Sequence, residues 1–389
     1  MNRLDVNKEE LSPMMRQYMD IKEKYPEELL FFRLGDFYEL FFEDGVTASR
    51  ELELTLTGKN AGLKERIPMC GVPFHSVTPY IEKLIDKGYK VAICEQLEDP
   101  KATKGMVSRG VVEVISKGTV VNLESLTEHD NNYIASVLDL EYIYLLTYAD
   151  ISTGELKSLS LNHNKEKLIQ EILQLNIKEV ILESDNDSEL IEILKNNYSI
   201  EVSISSDYLT EGYETLIEST ADNRVRQGIR HLLYYIVIRE LKDLSHISKV
   251  TIVNKNDYLE MDIHTIRNLE LIETLRLKER TYSLIWLLDK TKTAMGARKL
   301  KSWLMYPLRN IAAIEDRYNK LETLNKEFIL KDELRNLLFE IYDIERLCAK
   351  VTCGNLNARD VLQIKNSLGA LPRIKEIITS LGFSYDLNT

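Results

Sequence analysis

An aromatic side chain and a carboxylate stand two residues apart in the sequence FFRLGDFYELFFEDG, at positions 31–45. An apolar run precedes a Gly-Asp pair, which is typical of a buried strand that ends in a turn. If the residues after the turn are extended, Phe37 and Glu39 share one face of a second strand. A carboxylate among phenylalanines is costly to bury without a partner. The pattern alone favours a strand in which Leu40 and Phe42 face the core while Phe37 and Glu39 lie at the rim.

Three further carboxylates could bind metal ions. Asp139, Asp150 and Glu155 lie in a region, residues 133–161, that predicts three adjacent strands with short turns. The elements predicted next are a helix, a strand, a helix and a strand at 164–175, 178–183, 188–197 and 199–204. This order indicates a ribonuclease-H-like domain, a fold that often holds two-metal nucleases with several convergent carboxylates. No fourth carboxylate lies at an obvious supporting spacing, which counts against a nuclease. A metal-dependent nuclease that uses these three carboxylates is therefore kept only as an alternative.

The composition is that of a globular chain of two or three domains. Its 389 residues are 44% hydrophobic and 29% charged, and the formal net charge is -12. A dedicated DNA-binding protein usually carries a basic footprint. Residues 1–120 hold 17 Lys+Arg against 20 Asp+Glu, so neither this part nor the remainder is basic. Any contact with DNA must therefore come from a local patch.

Location and redox state follow from what the sequence contains. The first ten residues, MNRLDVNKEE, lack an apolar signal region, and no run of eighteen apolar residues occurs, which predicts a cytoplasmic protein. The four cysteines fit free thiols in a reducing compartment. Cys348 and Cys353 are close in sequence, but no histidine lies near enough to complete a zinc site, so we expect no metal there.

The first 120 residues predict a mixed α/β domain. A helical pattern occupies part of residues 1–27, and the strands and helices that follow are predicted at 29–34, 46–53, 77–87 and 91–95. A loop at 57–66 concentrates Lys59, Lys64 and Arg66 and is the best candidate for phosphate contacts. Lys101, Lys104 and Arg109 make a second small basic cluster.

From about residue 206 the pattern is helical and rich in leucine. The helices are predicted at 222–243, 264–278, 294–304, 311–326, 330–351 and 357–381, with a short strand at 258–263. The mixed charges of residues 343–346 are interpreted as a solvated helix face. This part of the chain therefore predicts an all-α segment.

Four blocks of sequence, in the same order, resemble the MutS family of DNA mismatch repair proteins. Gly35–Phe41 is similar to the segment that carries the family's Phe-x-Glu signature. Ile67–His75 is similar to I-P-M-x-G-[IV]-P-[YF]-H, and Val91–Gln96 to V-A-I-C-E-Q. Leu288–Leu308 is similar to L-D-x-T-x-T-x-M-G-x-R-x-L-x-x-W-L-x-x-P-L. Four ordered blocks are far more specific than one short motif.

The resemblance implies roles for individual residues. Phe37 would be the aromatic wedge that stacks on a mispaired base from the minor groove, and Glu39 would add a hydrogen bond to that base. Met69 would be a minor-groove neighbour, and Arg109 aligns with a position that approaches DNA. The remaining candidate DNA contacts are Lys59, Lys64 and Arg66. No catalytic or metal-binding residue is implied.

The resemblance also implies the fold class and the domain organisation. We expect a mixed-sheet α/β domain for mismatch recognition at 1–120 and a ribonuclease-H-like α/β connector domain at 121–205. The first part of an all-α core domain would follow at 206–389. The family carries its ATPase, with a G-x-x-x-x-G-K-[ST] loop, in a C-terminal domain, and no such loop occurs in this sequence.

The expected partners come from the same resemblance. They are mismatched double-stranded DNA, a second copy in the full-length form, and the downstream repair factor MutL through the connector domain, with no membrane. The full-length family is a DNA-dependent ATPase that uses ATP and Mg, whereas this chain is expected to hold no cofactor and to be no enzyme. A non-catalytic protein-interaction module, with Phe37 in the core, is the other alternative.

Overall fold

A computed structural model describes residues 3–98, 107–120, 128–354 and 356–383. By their internal contacts the residues form two units, 1–125 with 233–243 and 126–232 with 244–389. Two mixed α/β sheets come first in the chain and a helical segment follows, which confirms the predicted fold class.

The first unit is built on a six-stranded sheet. Its strands are β1 (Leu29–Leu34), β2 (Phe37–Phe41), β3 (Thr57–Lys59), β4 (Ile67–Pro73), β5 (Val91–Gln96) and β6 (Arg109–Ile115). They are arranged in the order β3-β4-β2-β1-β5-β6. Only β1 and β5 are parallel, and the other neighbours are antiparallel. Part of the predicted loop 57–66 is therefore the edge strand β3, which places Lys59 on the sheet.

Three helices cover this sheet: α1 (Pro13–Lys22), α2 (Phe42–Leu52) and α3 (Thr78–Asp86). Pro13 begins α1 because its fixed φ suits the first turn of a helix and that turn needs no backbone donor there. The buried side chains of α1 pack with the alternate residues of β1 and β2 in one apolar cluster. Inside it, the ammonium group of Lys22 lies 2.9 Å from the Asp44 carboxylate of α2.

The second unit holds another six-stranded sheet. Its strands are β7 (Ile134–Asp139), β8 (Ile143–Asp150), β9 (Glu155–Asn162), β10 (Glu179–Leu182), β11 (Glu201–Ile204) and β12 (Thr251–Ile252). They are arranged in the order β11-β10-β7-β8-β9-β12. An antiparallel meander of β7 to β9 is extended beside β7 by the parallel strands β10 and β11. This is the ribonuclease-H-like order that the sequence predicts.

Helices make up most of the remaining chain. They are α4 (Lys165–Gln174), α5 (Ser188–Glu192), α6 (Glu214–Ile217), α7 (Asn223–Leu233), α8 (Ile263–Asn268), α9 (Leu284–Leu288), α10 (Ala294–Met305), α11 (Ile311–Lys326), α12 (Phe328–Phe339), α13 (Ile344–Thr352) and α14 (Ala358–Ser380). A wider helical turn, Tyr234–Arg239, continues α7. Among the described residues, no helix has both the length and the apolar character needed to cross a membrane.

Two predicted helices and one predicted strand are wrong. The helix at 264–278 ends at Asn268 because the next carbonyls, of Glu270 and Leu271, accept hydrogen bonds from the backbone of residues 284 and 285. The helix at 330–351 is two helices, since Asp343 caps a new one by accepting from the backbone N–H of Arg346. The strand at 258–263 is only an isolated bridge between Tyr258 and residue 308.

The interpretation of residues 343–346 as a solvated face is also wrong. Arg298, which is buried, donates to both Asp343 carboxylate oxygens at 2.7 and 2.8 Å. A third hydrogen bond, of 2.6 Å, joins the same guanidinium group to Glu345. These acidic side chains therefore satisfy a buried cation within the second unit, which charge patterning along one helix could not reveal.

Candidate nucleic-acid interface

The strand register of the first unit gathers the predicted residues on one face of the sheet. Phe37 pairs with Pro73 of β4, Glu39 pairs with Gly71, and residue 41 pairs with Met69. Directly paired residues of antiparallel strands point to the same face. Phe37, Glu39 and Met69 therefore lie on the same side of the sheet, as alternation along the sequence predicts for the first two.

Two phenylalanines on this face have different surroundings. The ring of Tyr18 in α1 meets Phe41 edge-on, with 5.0 Å between the ring centroids, and Phe41 is fully buried. At the other end of β2, Phe37 is 47% exposed. Helix α1 thus covers the face at Phe41 and leaves Phe37 open to solvent. The prediction that Phe37 lies at the rim is confirmed, and so is the burial of Leu40 and Phe42.

The tip of the β1–β2 hairpin is fixed from the opposite side of the sheet. The guanidinium carbon of Arg33 lies 3.6 Å from the centroid of the Phe74 ring. The backbone N–H of Phe74 donates to the carbonyl of Asp36 at 3.0 Å. Tyr38 is buried and donates its hydroxyl to Glu95. Burial and that carboxylate raise the pKa of Tyr38, so its hydroxyl remains a donor and the hairpin presents Phe37 from a rigid support.

Glu39 has a basic partner that sequence reasoning missed. Lys59, at the end of β3, forms an ion pair with the Glu39 carboxylate, and the two side chains are 27% and 17% exposed. Gly71 lies opposite Glu39, and a Cβ there would make only an ordinary contact of 3.5 Å with the Glu39 Cγ atom. The pair joins residues that are 20 positions apart, and only the order β3-β4-β2 brings them together.

The other predicted DNA contacts of this unit differ in their exposure to solvent and in their contacts with the rest of the protein. Lys64 and Arg66 lie in the exposed connection between β3 and β4, and neither forms an ion pair with the described parts of the chain. Met69 is half-buried against the apolar cluster, and its carbonyl accepts from the hydroxyl of Thr57 at 3.0 Å. Lys64 and Arg66 are therefore available to phosphates, whereas Met69 offers part of one apolar side chain.

Arg109 is held by the protein itself. Its Nε atom donates to the carbonyl of Arg33 at 2.9 Å, and its guanidinium group donates to the Gln17 side chain and the Val107 carbonyl, both at 3.1 Å. Burial lowers the pKa of Arg109. In this arrangement Arg109 ties the end of β1 to α1. The other two members of its predicted cluster, at positions 101 and 104, lie outside the described residues.

The carboxylates of the nuclease alternative do not converge. Asp139 pairs with Tyr144 at one end of the β7–β8 hairpin, whereas Asp150 pairs with Glu155 beyond the other end. Six residues along β8, at about 3.3 Å each, separate these positions by about 20 Å. Asp150 is buried and accepts from the backbone N–H of Asn132 at 3.1 Å. Over the described ranges, no three acidic, histidine or cysteine side chains are grouped to hold a metal ion, so the geometry argues against the nuclease.

Comparison with known proteins identifies the class to which this chain belongs. Three family models match the chain in order: MutS domain I over residues 12–124, MutS domain II over 132–248, and MutS domain III over 264–387. The chain therefore belongs to the MutS family, whose proteins are named for DNA mismatch repair.

Curated relatives extend this finding. The DNA mismatch repair protein MutS of Geobacillus sp. (strain WCH70) is 44% identical over 372 residues, which cover 95% of this chain and 43% of the relative. The protein of that name from Listeria monocytogenes serotype 4b (strain CLIP80459) is 45% identical over 374 residues, covering 96% and 44%. That of Bacillus cereus (strain B4264) is 43% identical over 379 residues, covering 96% and 42%. The chain thus spans less than half the length of these relatives.

Proposed function

We propose that this chain recognises mismatched or unpaired sites in double-stranded DNA, as part of DNA mismatch repair. The observation that carries the proposal is the open end of the first sheet, where a 47% exposed phenylalanine stands beside a carboxylate on the same strand. An exposed aromatic side chain on a rigid hairpin can enter a base step, and Phe37 is this wedge.

The physical basis for selection is the deformability of the DNA. A mismatched or unpaired site stacks poorly and bends at low cost, so a protein that kinks its target selects such a site by deformation energy. Wedges inserted from the minor groove act in this way. Stacking on an aromatic ring contributes about 1–3 kcal/mol per base and tolerates any base, since every base has a π-face. Phe37 therefore supplies affinity for the disrupted step without reading a particular sequence.

Glu39 supplies the discrimination. A carboxylate near the DNA polyanion weakens binding. It can improve discrimination only if it forms a hydrogen bond at a mismatched site that it cannot form at a paired one. A mispair exposes base N–H groups that a paired base keeps engaged, and such a donor can bond to the Glu39 oxygens. Lys64 and Arg66 lie in the connection at the end of β4 remote from Phe37, and they contact phosphates farther along the duplex. They give this acidic chain the local positive charge that binding needs. Met69 and Arg109 support the same face.

The wider organisation follows the family. We assign mismatch reading to residues 1–120, a connector role to 121–205, including contact with a downstream factor such as MutL, and a structural role to 206–389. An ATP-dependent clamp, with Mg, and a homodimer belong to the proposed full-length form. Burial raises the pKa of the Cys70 thiol to about 11 and that of Cys94 to about 12, so both thiols stay protonated and unreactive.

A competition binding assay tests this function. The chain is bound to a labelled duplex that carries a single G·T mismatch or an unpaired T, and the same fully paired duplex competes, at low and moderate salt. We expect a preference for the mismatched duplex that Phe37→Ala removes, because the stacking surface is lost. Glu39→Ala should weaken discrimination and strengthen binding to paired DNA.

Tyr142→Ala is the matched control. Tyr142 is also an exposed aromatic residue, 83% accessible, but it lies in the second unit, so its loss should leave the preference intact. An undiminished preference in both the Phe37 and the Glu39 variant would contradict the assignment. Absence of binding to either duplex would show that this chain does not read mismatches on its own.

A further inference from the structure

The ion pair between Lys59 and Glu39 lies inside the proposed reading face. Both side chains are largely covered, and neither has a second ion-pair partner among the described residues. The ammonium nitrogen of Lys59 also lies 5.6 Å from the centroid of the buried Phe41 ring. The side chain thus runs across the sheet face towards Glu39 instead of extending into solvent, as the nearby exposed Lys64 does.

In this geometry Lys59 contributes to DNA binding differently from an ordinary phosphate-binding lysine. A lysine that binds phosphate releases condensed counterions and strengthens binding to any duplex. An ammonium group already bonded to a carboxylate is neutralised and contributes little of this non-specific attraction. While the ion pair stays closed, its net charge is zero. The affinity for paired DNA is therefore lower than it would be with a free lysine at the same position.

We propose that Lys59 is a specificity-determining residue that Glu39 controls. On paired DNA, Glu39 finds no base donor and keeps Lys59 away from the phosphates. At a mispair, a base N–H bonds to Glu39, the ion pair opens, and the ammonium group of Lys59 moves to a phosphate. The mismatched complex then gains two contacts, one to the base and one to the backbone, that the paired complex lacks. This inference rests on the proposed function of the same face.

The test first changes Glu39 and then also changes Lys59. Glu39→Gln keeps the size of the side chain but frees Lys59, so it should bind paired DNA several-fold more tightly than the native chain. The dependence of log K on log salt should steepen by about 0.9, as expected for one additional phosphate contact. Adding Lys59→Met to Glu39→Gln should reverse both changes. A gain that persists in the double variant, or no gain in Glu39→Gln, would overturn the proposal.

Lys64→Met is the control, since Lys64 is exposed and unpaired among the described residues. It should weaken binding to both duplexes alike and flatten the salt dependence by about 0.9, whether or not Glu39 is changed. If Lys59→Met in the native background behaved in the same way, without altering the effect of Glu39→Gln, Lys59 would be a plain phosphate contact and the proposal would be wrong.

A measurement without DNA tests the ion pair separately. The acetylation rate of each lysine, followed by mass spectrometry, should be several-fold lower for Lys59 than for Lys64, and Glu39→Gln should raise the rate for Lys59 alone. Equal rates in the native chain would overturn the proposal while leaving mismatch binding unaffected. Normal protection of Lys59 together with no binding to any duplex would instead contradict the proposed function, and the specificity role with it.

Discussion

Phe37 and Phe41 occupy the same face of one strand and do different work. Phe41 is fully buried in contact with Tyr18 of helix α1, whereas Phe37 projects beyond the helix and is half exposed. A half-exposed aromatic ring adds little to the core. Its exposed surface is therefore open to an external contact.

This difference predicts different effects on stability. Phe41→Ala should lower the free energy of unfolding of the first unit by about 3–5 kcal/mol, as is usual for buried phenylalanine. Phe37→Ala should change it by less than about 1 kcal/mol. Hydrogen exchange of the β1 and β2 amides measures both effects. Equal losses in the two variants would place Phe37 in the core and favour the protein-interaction alternative.

For single residues, the sequence predicts which side chains are exposed or buried but not which residues they contact. Alternation along residues 37–40 separates exposed Phe37 from buried Tyr38 and Leu40, but it does not predict that Phe41, on the same face as Phe37, is fully buried. It cannot predict that Glu39 meets Lys59, because that contact depends on the pairing of three strands. It also cannot predict that Arg109 is held by the carbonyl of Arg33 and the side chain of Gln17, since these belong to distant segments.

The element that matters most is the β1–β2 hairpin. Its turn places Gly35 at φ +57°, a conformation that costs a residue with a Cβ atom about 1–2 kcal/mol, while asparagine adopts it more readily. Apart from Gly35 itself and its two chain neighbours, no atom of the described structure lies within 4 Å of a Cβ built at this position. The backbone conformation, and not the available space, is therefore what favours glycine here.

Substitution of this glycine separates strain from crowding. Gly35→Val should destabilise the hairpin by about 1–2 kcal/mol, whereas Gly35→Asn should cost clearly less. The amide exchange of residues 29–41 reports the change, and the mismatch preference should fall only in the valine variant because the turn no longer fixes Phe37. If both variants lost stability equally, a contact of the side chain would be responsible and not φ.

Elements with strong local signals are predicted well. Strands β1 and β10 lie within a residue of their predicted bounds, and β7 to β9 occupy the region predicted to hold three strands, because apolar runs and turn residues define them. The helices at 264–278 and 330–351 fail for a tertiary reason. Their patterns continue, but backbone hydrogen bonds to residues 284–285 and the cap at Asp343 end the helices early.

On the scale of the whole molecule, net charge misleads. The formal net charge of the chain is -12. Many charged side chains form ion pairs with each other, such as Lys59–Glu39 and Arg298–Asp343, so the sum over the chain does not describe the charge on any single face. Net charge therefore says little about the one face that would contact DNA. The family resemblance, carried by four sequence blocks, predicted the function class where composition pointed away from nucleic acid.

One buried histidine predicts how the second unit responds to pH. His231 is fully buried, with Nε2 donating to the carbonyl of Ser205 at 2.6 Å and Nδ1 2.7 Å from the Ser136 hydroxyl. Burial lowers its pKa, against the weaker opposing effects of that carbonyl and of Glu183 and Asp207. In the unfolded chain the group regains its ordinary pKa of about 6.5.

The sign follows from proton binding. Below pH of about 6.5 the unfolded state takes up a proton that the folded state refuses, so stability is complete above this pH and declines as the pH falls. Urea unfolding of the chain at pH 7.5 and 5.5 should show this loss. His231→Gln should be less stable at pH 7.5 but should lose less on acidification, and an unchanged decline would contradict the role of His231.

The central claim is that Phe37 contacts the mispaired site. The most direct measurement is the 19F spectrum of the chain labelled with 4-fluorophenylalanine, in which the resonance of residue 37 is assigned from its absence in Phe37→Leu. We predict that this resonance shifts on saturation with a duplex that carries an unpaired T and shifts much less with the paired duplex. A resonance that stays in place while the mismatched DNA is bound, or that moves equally with both duplexes, would contradict the account.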